Sequence, residues 1–319
     1  MHLITRFASL TFIIVALGWS APTTISPAAK AQEGNLRTHR FEQGDFHRRY
    51  MLYTPRGADE FESELPLVLV IHGGAGTDRG MIKLTEQRWH TLADRQGFYV
   101  AYPNAAVDKT WDFGEGKISE QLDQRVDDLA YFERVIDHAS ARARIDQSRV
   151  FATGISRGGQ ASYFLACNLH SRIRAVMPVA MGLPEFMVNE CEHGPPVAIA
   201  IMNGTADPQV PFDGGEITVF RKKRGIVLSA SETIALWRAR NACMDAALAI
   251  REIDRPGDET SVEVTSWTGC SGAPVTFYKV VNGGHTWPGG RQYLRPRIVG
   301  HTSRDIDASE EAWRFFSQF

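Results

Sequence analysis

The feature that most constrains the fold is the pentapeptide Gly154-Ile155-Ser156-Arg157-Gly158, set between an apolar run and a stretch of small residues. Arg149 to Thr153 reads as a strand, and Gly158 to Leu169 reads as a helix. A chain that passes from a buried strand into a helix through so few residues turns too tightly for bulky flanking side chains. Glycines at 154 and 158 meet that demand, and the turn lifts the Ser156 hydroxyl clear of the strand end. This is the geometry of a nucleophile elbow, G-x-S-x-G, and it requires a strand–turn–helix unit.

The rest of the chain repeats the alternation that such a unit needs. Arg48 to Tyr53 reads as a strand ended by Pro55, and Leu67 to Ile71 as a continuous apolar strand buried on both faces. Further strands are predicted at Phe98–Tyr102, Ala175–Ala180, Val197–Met202 and Val275–Val281. Helices are predicted at Lys83–Arg95, Asp123–Arg142, Ser231–Asn241 and Asp307–Phe319. Strands alternating with helices call for an α/β fold, a mostly parallel central sheet with helices on both faces. Sites in such sheets lie at the carboxyl ends of the strands. The 182–194 and 209–224 segments are the expected insertions.

The N-terminus reads as a signal peptide over residues 1–31. Arg6 supplies the positive region, Leu10 to Trp19 the short apolar region, and Ala29-Lys30-Ala31 the small residues of a cleavage site. The apolar run is far short of the ~20 residues that a spanning helix needs. A catalytic domain is expected over 32–319, and the protein is expected to be secreted, either extracellular or periplasmic. The four cysteines, Cys167, Cys191, Cys243 and Cys270, form no CxxC pair, so zinc or thioredoxin chemistry has no support. An even count after a signal peptide suggests two disulfides, and spacing favours sequential pairing among three connectivities. The net charge of -2 offers no basic surface for nucleic acid. The short run Arg221-Lys222-Lys223-Arg224 reads as a solvated loop. No metal or organic cofactor is indicated, and the oligomeric state is not readable.

A serine hydroxyl needs a base, and on this fold the acid and histidine follow in the order Ser, Asp or Glu, His. His285 lies just past the last buried strand, in Asn282-Gly283-Gly284-His285-Thr286-Trp287-Pro288; His301 is the reserve. Asp207 follows the strand ending at Met202, in Asn203-Gly204-Thr205-Ala206-Asp207-Pro208; Asp213 is its alternative. The candidate triad is therefore Ser156, Asp207 and His285. Oxyanion donors are expected from the backbone N–H groups of Arg157 and of Gly73 and Gly74 in His72-Gly73-Gly74. Trp111 and Trp287 sit at strand ends, where an aromatic ring either borders a substrate cleft or packs the loop itself. Asn203-Gly204-Thr205 matches a glycosylation sequon, but a strand-end turn is a poor acceptor.

These stretches together resemble the secreted polyhydroxybutyrate depolymerase-like and feruloyl esterase-like α/β-hydrolases. The resemblance rests on His72-Gly73-Gly74, Trp111, Asp127-Asp128, the Gly154–Gly159 elbow, Gly204-Thr205-Ala206-Asp207-Pro208 and Gly283-Gly284-His285-Thr286-Trp287-Pro288-Gly289-Gly290. It covers nearly all of the expected mature chain. It implies an α/β-hydrolase fold in a single domain, carboxylic-ester hydrolysis through an acyl-enzyme, and a small-molecule or polymeric ester as partner. Hydroxybutyrate-type oligoesters are the first expectation and feruloyl or acetylxylan esters the alternative. A peptidase or a silent polymer-binding protein fits less well. Two positions depart from the family pattern: Asn203 stands where a histidine is common, and Arg157 where a small or amide residue is common.

Overall fold

A computed structural model describes residues 34–106, 110–114, 126–244, 249–255 and 257–319. The chain divides into Met1–Ala31 and a compact unit, Gln32–Phe319. The expected signal peptide lies outside the described residues, and so does the 123–125 start of the long helix predicted after it.

Twelve strands are described. β1 (Asn35–Gln43), β2 (Phe46–Thr54), β3 (Leu65–Ile71), β4 (Tyr99–Asn104), β5 (Ile145–Ile155), β6 (Ala175–Val179), β7 (Ala198–Gly204), β10 (Ala249–Ile253), β11 (Ser261–Trp267) and β12 (Val275–Val281) form a ten-stranded sheet. Its order is β1-β2-β4-β3-β5-β6-β7-β12-β11-β10. The six central strands, β4 to β12 in that order, run parallel. Antiparallel pairs close both edges. β8 (Gly215–Val219) and β9 (Lys222–Val227) make a separate antiparallel hairpin. This is the expected α/β-hydrolase architecture.

The β3 strand shows why the sheet is covered twice. All seven of its residues are buried. Leu67, Leu69 and Ile71 enter one core, while Val68 and Val70 enter the other. Alternate side chains of a strand point to opposite faces, so an unbroken apolar run needs helices on both sides. The helices that supply this cover include α1 (Asp78–Leu84), α2 (Arg88–Gln96), α3 (Asp128–Ser140) and α4 (Arg157–Asn168). The short α5 (Val188–Glu192) fills the first insertion, and α6 (Ala230–Arg240) follows the hairpin. The short α7 (Pro296–Val299) and then α8 (Ala308–Phe316) complete the chain.

Local chemistry sets the helix starts. Asp127 caps α3 by accepting from Ala130 N, and Asp307 caps α8 by accepting from Ser309 N and Glu310 N. Ser229 and Glu232 form a reciprocal capping box on α6; such caps are typically worth ~1 kcal/mol each. On α8, Phe315 and Phe316 are buried, and Phe316 stacks on Phe151 of β5. Burying each phenylalanine stabilises the fold by roughly 1.5–3 kcal/mol.

Several expected elements differ. The helix predicted over Lys83–Arg95 is two helices, broken where Glu86 and Gln87 take positive φ. The break frees the Leu84 carbonyl to accept Arg291 N at 2.8 Å, which ties this segment to the stretch after His285. The edge strands β1, β10 and β11 were not anticipated. The insertion expected at 209–224 holds the hairpin. The two disulfides are Cys167–Cys191 and Cys243–Cys270. The first pins α5 to the end of α4. The second ties the end of α6 to the loop before β12. By loop-closure entropy each is worth about 3 kcal/mol.

Candidate active site

Ser156 follows β5 and takes the N-cap position of α4 with φ 57 and ψ -121. That backbone is unfavourable for a residue with a Cβ and costs roughly 1–3 kcal/mol. The neighbourhood leaves no alternative path. A Cβ on Gly154 would lie 2.5 Å from Ile71 O and 2.6 Å from Gly158 C, and one on Gly158 would lie 2.2 Å from Ile71 O. Ser156 N donates to Val179 O at 2.9 Å, and Gln160 N donates to Ser156 O at 2.9 Å. The elbow therefore has the geometry that the glycine spacing demanded.

Asp207 and His285 come together from the ends of β7 and β12, which are neighbours in the sheet. His285 Nδ1 lies 2.7 Å from Asp207 Oδ2, with both side chains 3% exposed. The other carboxylate oxygen, Oδ1, accepts Gln209 N at 2.8 Å and Val210 N at 2.9 Å. These bonds fix the carboxylate, and the carboxylate fixes the ring. With Nδ1–H on Asp207, Nε2 is the nitrogen left to accept a proton. His285 and Ser156 share no direct hydrogen bond here; such contacts commonly tighten only in the substrate complex. The alternatives fall elsewhere. His301 is exposed and engages the site through its carbonyl, which accepts Gly284 N, and Asp213 is exposed.

Glycines bring the acid and histidine loops together. A Cβ on Gly204 would meet Gly283 O at 2.2 Å, and one on Gly284 would meet Val299 O at 2.1 Å. Ala206 N donates to Gly283 O at 2.9 Å, and His285 N to Val299 O at 2.5 Å. Tyr293, which the sequence did not single out, donates its hydroxyl to His285 O at 2.9 Å. Burial and the Asp207 carboxylate push the Tyr293 phenol pKa upward, so it stays a donor. No motif marks Tyr293, because it lies in an irregular loop.

The His72-Gly73-Gly74 loop runs beside the elbow. A Cβ on Gly73 would lie 3.4 Å from Ser156 Cβ, and one on Gly74 4.0 Å from Arg157 Cβ. Among the described residues neither Gly73 N–H nor Gly74 N–H makes a hydrogen bond. His72 beneath them is buried, and burial lowers its pKa to about 4. The neutral ring accepts Ala105 N on Nε2 at 3.2 Å, which leaves Nδ1–H to donate to Gly73 O at 2.8 Å.

The two tryptophans, for which a cleft border and loop packing were both left open, pack the loops. Trp111 is fully buried, and its Nε1 donates to His72 O at 2.9 Å. Trp287 is fully buried, and its Nε1 donates to Ser309 Oγ at 3.2 Å. Neither ring offers a surface to a ligand, so the substrate-binding expectation for both is corrected. An indole at a strand end fills the space under a loop as readily as it lines a cleft. Arg157 is turned back in the same way. Its Nη2 donates to Trp111 O at 2.7 Å and its Nη1 to Gln160 Oε1 at 3.2 Å. Asn203 is a buried strand residue.

The support extends inward. Asp112 N donates to Asp128 Oδ2 at 2.7 Å, and Asp128 Oδ1 pairs with Arg48 Nη2 at 2.6 Å, with both side chains fully buried. Arg48 also lies over the Tyr131 ring at 3.7 Å. Desolvation raises the Asp128 pKa, and Arg48 opposes that shift. Among the described residues no cluster of His, Cys, Asp or Glu has the makings of a metal site. No described helix is long and apolar enough to cross a membrane. A cavity of about 590 Å³ lies on the far side of the fold, between β2 and α2, lined by residues such as Tyr53, His90 and Asp94.

Known proteins resemble this chain. The pattern of the family described as "Esterase PHB depolymerase" matches residues 48–212, from β2 through the acid loop. A putative esterase, NocK, of Nocardia uniformis subsp. tsuyamanensis is 30% identical, over 84% of this chain and 78% of its own. A probable feruloyl esterase C of Aspergillus flavus is 29% identical, over 84% of this chain and 83% of its own. The solved acetyl xylan esterase of Aspergillus awamori superposes with a TM-score of 0.55 at 16% identity, covering 88% of this chain and 99% of that one. That likeness concerns the fold.

Proposed function

The chain belongs to the esterase PHB depolymerase family and is a carboxylic ester hydrolase, and from that premise we propose that Ser156, Asp207 and His285 are its catalytic triad. The observation that carries this reading is the 2.7 Å His285–Asp207 pair at the carboxyl edge of the sheet that also presents Ser156 on its elbow. Ser156 Oγ attacks the ester carbonyl while His285 Nε2 takes its proton. The carbonyl π electrons move onto oxygen, and the N–H groups of Arg157 and of Gly73 or Gly74 hold the oxyanion. Collapse expels the alcohol, which leaves with the proton from His285. Water, activated by the same histidine, then releases the acid and restores Ser156. Asp207 keeps the imidazole oriented and stabilises its cation without taking the proton.

Of the two substrate classes open from the sequence, the relatives named feruloyl esterase C favour acyl esters carried on polysaccharide over hydroxybutyrate-type oligoesters. Export is part of the reading, with residues 1–31 removed as a signal peptide and the two disulfides formed in an oxidising compartment. N-terminal sequencing of the exported protein is expected to begin at Gln32; retention of Met1 overturns that part.

The triad is tested with a fluorophosphonate probe and a short p-nitrophenyl ester. The wild type is expected to be labelled on Ser156 and to turn over the ester. Ser156→Ala is expected to lose labelling and to fall roughly 10⁴-fold or more in kcat. A folded wild type that takes no label and hydrolyses no short ester overturns the reading. Methyl ferulate, acetylated xylan and hydroxybutyrate oligomers, compared by kcat/KM, separate the substrate classes.

A further inference from the structure

The basic run that the fold did not require lies on a hairpin at the edge of the site. Val219 pairs with Lys222, so Phe220 and Arg221 alone make the turn, both with positive φ. Such two-residue turns match the twist of a hairpin. The hairpin is stitched to the catalytic edge both near its turn and at its base. Thr218 N donates to Gln209 O at 2.9 Å, two residues from Asp207. Leu228 N donates to Leu183 O at 2.9 Å, and Val227 bridges Pro184, in the loop after β6. Ile217 and Val227 are buried and anchor it.

Val219 packs against the core, and the residues from Phe220 to Arg224 face solvent. Arg221, Lys222, Lys223 and Arg224 are all exposed, and Phe220 is 70% exposed. Lys223 pairs with Glu216 at 2.9 Å. Arg221, Lys222 and Arg224 carry no ion pair among the described residues. The other acidic group of the segment, Asp213, lies before the hairpin. The whole chain carries a net charge of -2. The hairpin is thus a local cationic arm on a slightly acidic molecule.

We propose that the β8–β9 hairpin is a docking arm for the carboxylate groups of an anionic polysaccharide, holding the polymer while one of its ester substituents reaches Ser156. The proposal rests on the esterase reading above. Carboxylates spaced along a chain complement the three unpaired cations, and Phe220 supplies an apolar face for a sugar ring. Focused charge beside a site raises the local concentration of an oppositely charged substrate and makes capture salt-dependent. Three side chains free of structural partners leave the fold unaffected when they are replaced.

The test uses the full exported protein and the triple variant Arg221→Ser/Lys222→Ser/Arg224→Ser. Substrates are a short p-nitrophenyl ester, acetylated neutral xylan and acetylated polygalacturonate. The variant is expected to match the wild type on the short ester and on neutral xylan. On acetylated polygalacturonate its KM is expected to rise about tenfold at low salt with kcat little changed. Added salt, to roughly 0.5 M, is expected to bring the wild type down to the variant. Equal KM values on the acidic polymer overturn the proposal, as does a wild type active on the short ester but inactive on the acidic polymer. Loss of the short-ester activity in the wild type counts instead against the triad. Cations on an edge strand also block edge-to-edge pairing; a variant that self-associates yet treats all three substrates as the wild type does assigns the run to that role. Loss of binding to anionic phosphatidylglycerol vesicles, with acidic-polymer turnover unchanged, overturns the proposal in favour of a membrane surface.

Discussion

The loop that follows β3 is held chiefly by buried side chains, whereas the close approach of the loops that follow β7 and β12 depends on backbone packed on backbone. On the β3 side, connections pass from Arg48 to Asp128, to Asp112 N, and on through Trp111 to the His72 carbonyl. On the β7 and β12 side, Gly204, Gly283 and Gly284 leave room for carbonyls to sit where side chains would be. The first support fails when a partner is removed. The second fails when an atom is added. Placing the proposed oxyanion donors, Gly73 and Gly74, thus depends on polar matching, and placing His285 depends on empty space.

The largest expected effect comes from breaking the first support at its centre. Asp128→Ala leaves the Arg48 guanidinium buried and unpaired, which costs about 3–5 kcal/mol. Thermal unfolding is expected to move down by roughly 10 °C for a chain of this size. Replacing both partners, Arg48→Met with Asp128→Leu, is expected to recover most of that loss, because no charge is then stranded. If the single variant melts like the wild type, the side-chain account of this loop is wrong. The matching break on the other side is Gly284→Ala. Its new methyl lies 2.1 Å from Val299 O, so the backbone beside His285 must shift. A misplacement near 1 Å is expected to lower kcat about 10²-fold, with a smaller loss of stability, about 1–3 kcal/mol. The two variants therefore differ in kind, the first melting early and the second turning over slowly. Equal patterns in both erase the distinction.

Acid sharpens it further. The folded-state pKa of His72 is lowered to about 4 by burial, below the unfolded value near 6.5. Between those values the unfolded chain binds the proton and the folded one does not. The His72 contribution is complete above pH 6.5 and is lost as pH falls toward about 4. His90, beside the distant cavity, is also lowered to about 4 by burial and shares that window. Melting measured from pH 7 to pH 4 is expected to show a shallower slope for His72→Gln and also for His90→Gln. Only His72→Gln is expected to lower esterase activity at neutral pH. An unchanged slope in His72→Gln means that its neutral ring does not matter to the fold.

What the sequence revealed divides along the same line. The elbow at Ser156 and the Gly283-Gly284-His285 stretch were legible from glycine motifs read in their strand-end context, although the carbonyls that demand glycine there, Ile71 O and Val299 O, belong to other segments. The unbroken apolar run of β3 announced a strand covered on both faces. Edge strands carry no such signal: β1 (NLRTHRFEQ) and β9 (KKRGIV) present mostly polar side chains to water. The Arg48–Asp128 pair joins positions 80 residues apart, and no short-range pattern encodes it. Trp111 and Trp287 were ambiguous for the same reason, since a strand-end indole looks alike whether it meets a ligand or a neighbouring loop.

Tyr293 offers the smallest and most discriminating break, because its side chain bonds the backbone of His285 itself. Its hydroxyl donates to the His285 carbonyl, and the residue is 39% exposed. Tyr293→Phe removes that one bond and adds no atom, so a stability loss of about 1 kcal/mol or less is expected. If backbone packing alone positions His285, kcat/KM for a short ester stays within about twofold of the wild type, because the glycine contacts are untouched. A fall of tenfold or more with stability preserved shows that the histidine loop also relies on a side-chain brace. That outcome makes the two sides of the site alike in principle and different only in degree. The comparison is best made at low and high substrate: displacement of His285 lowers kcat, whereas loss of a contact at the rim raises KM.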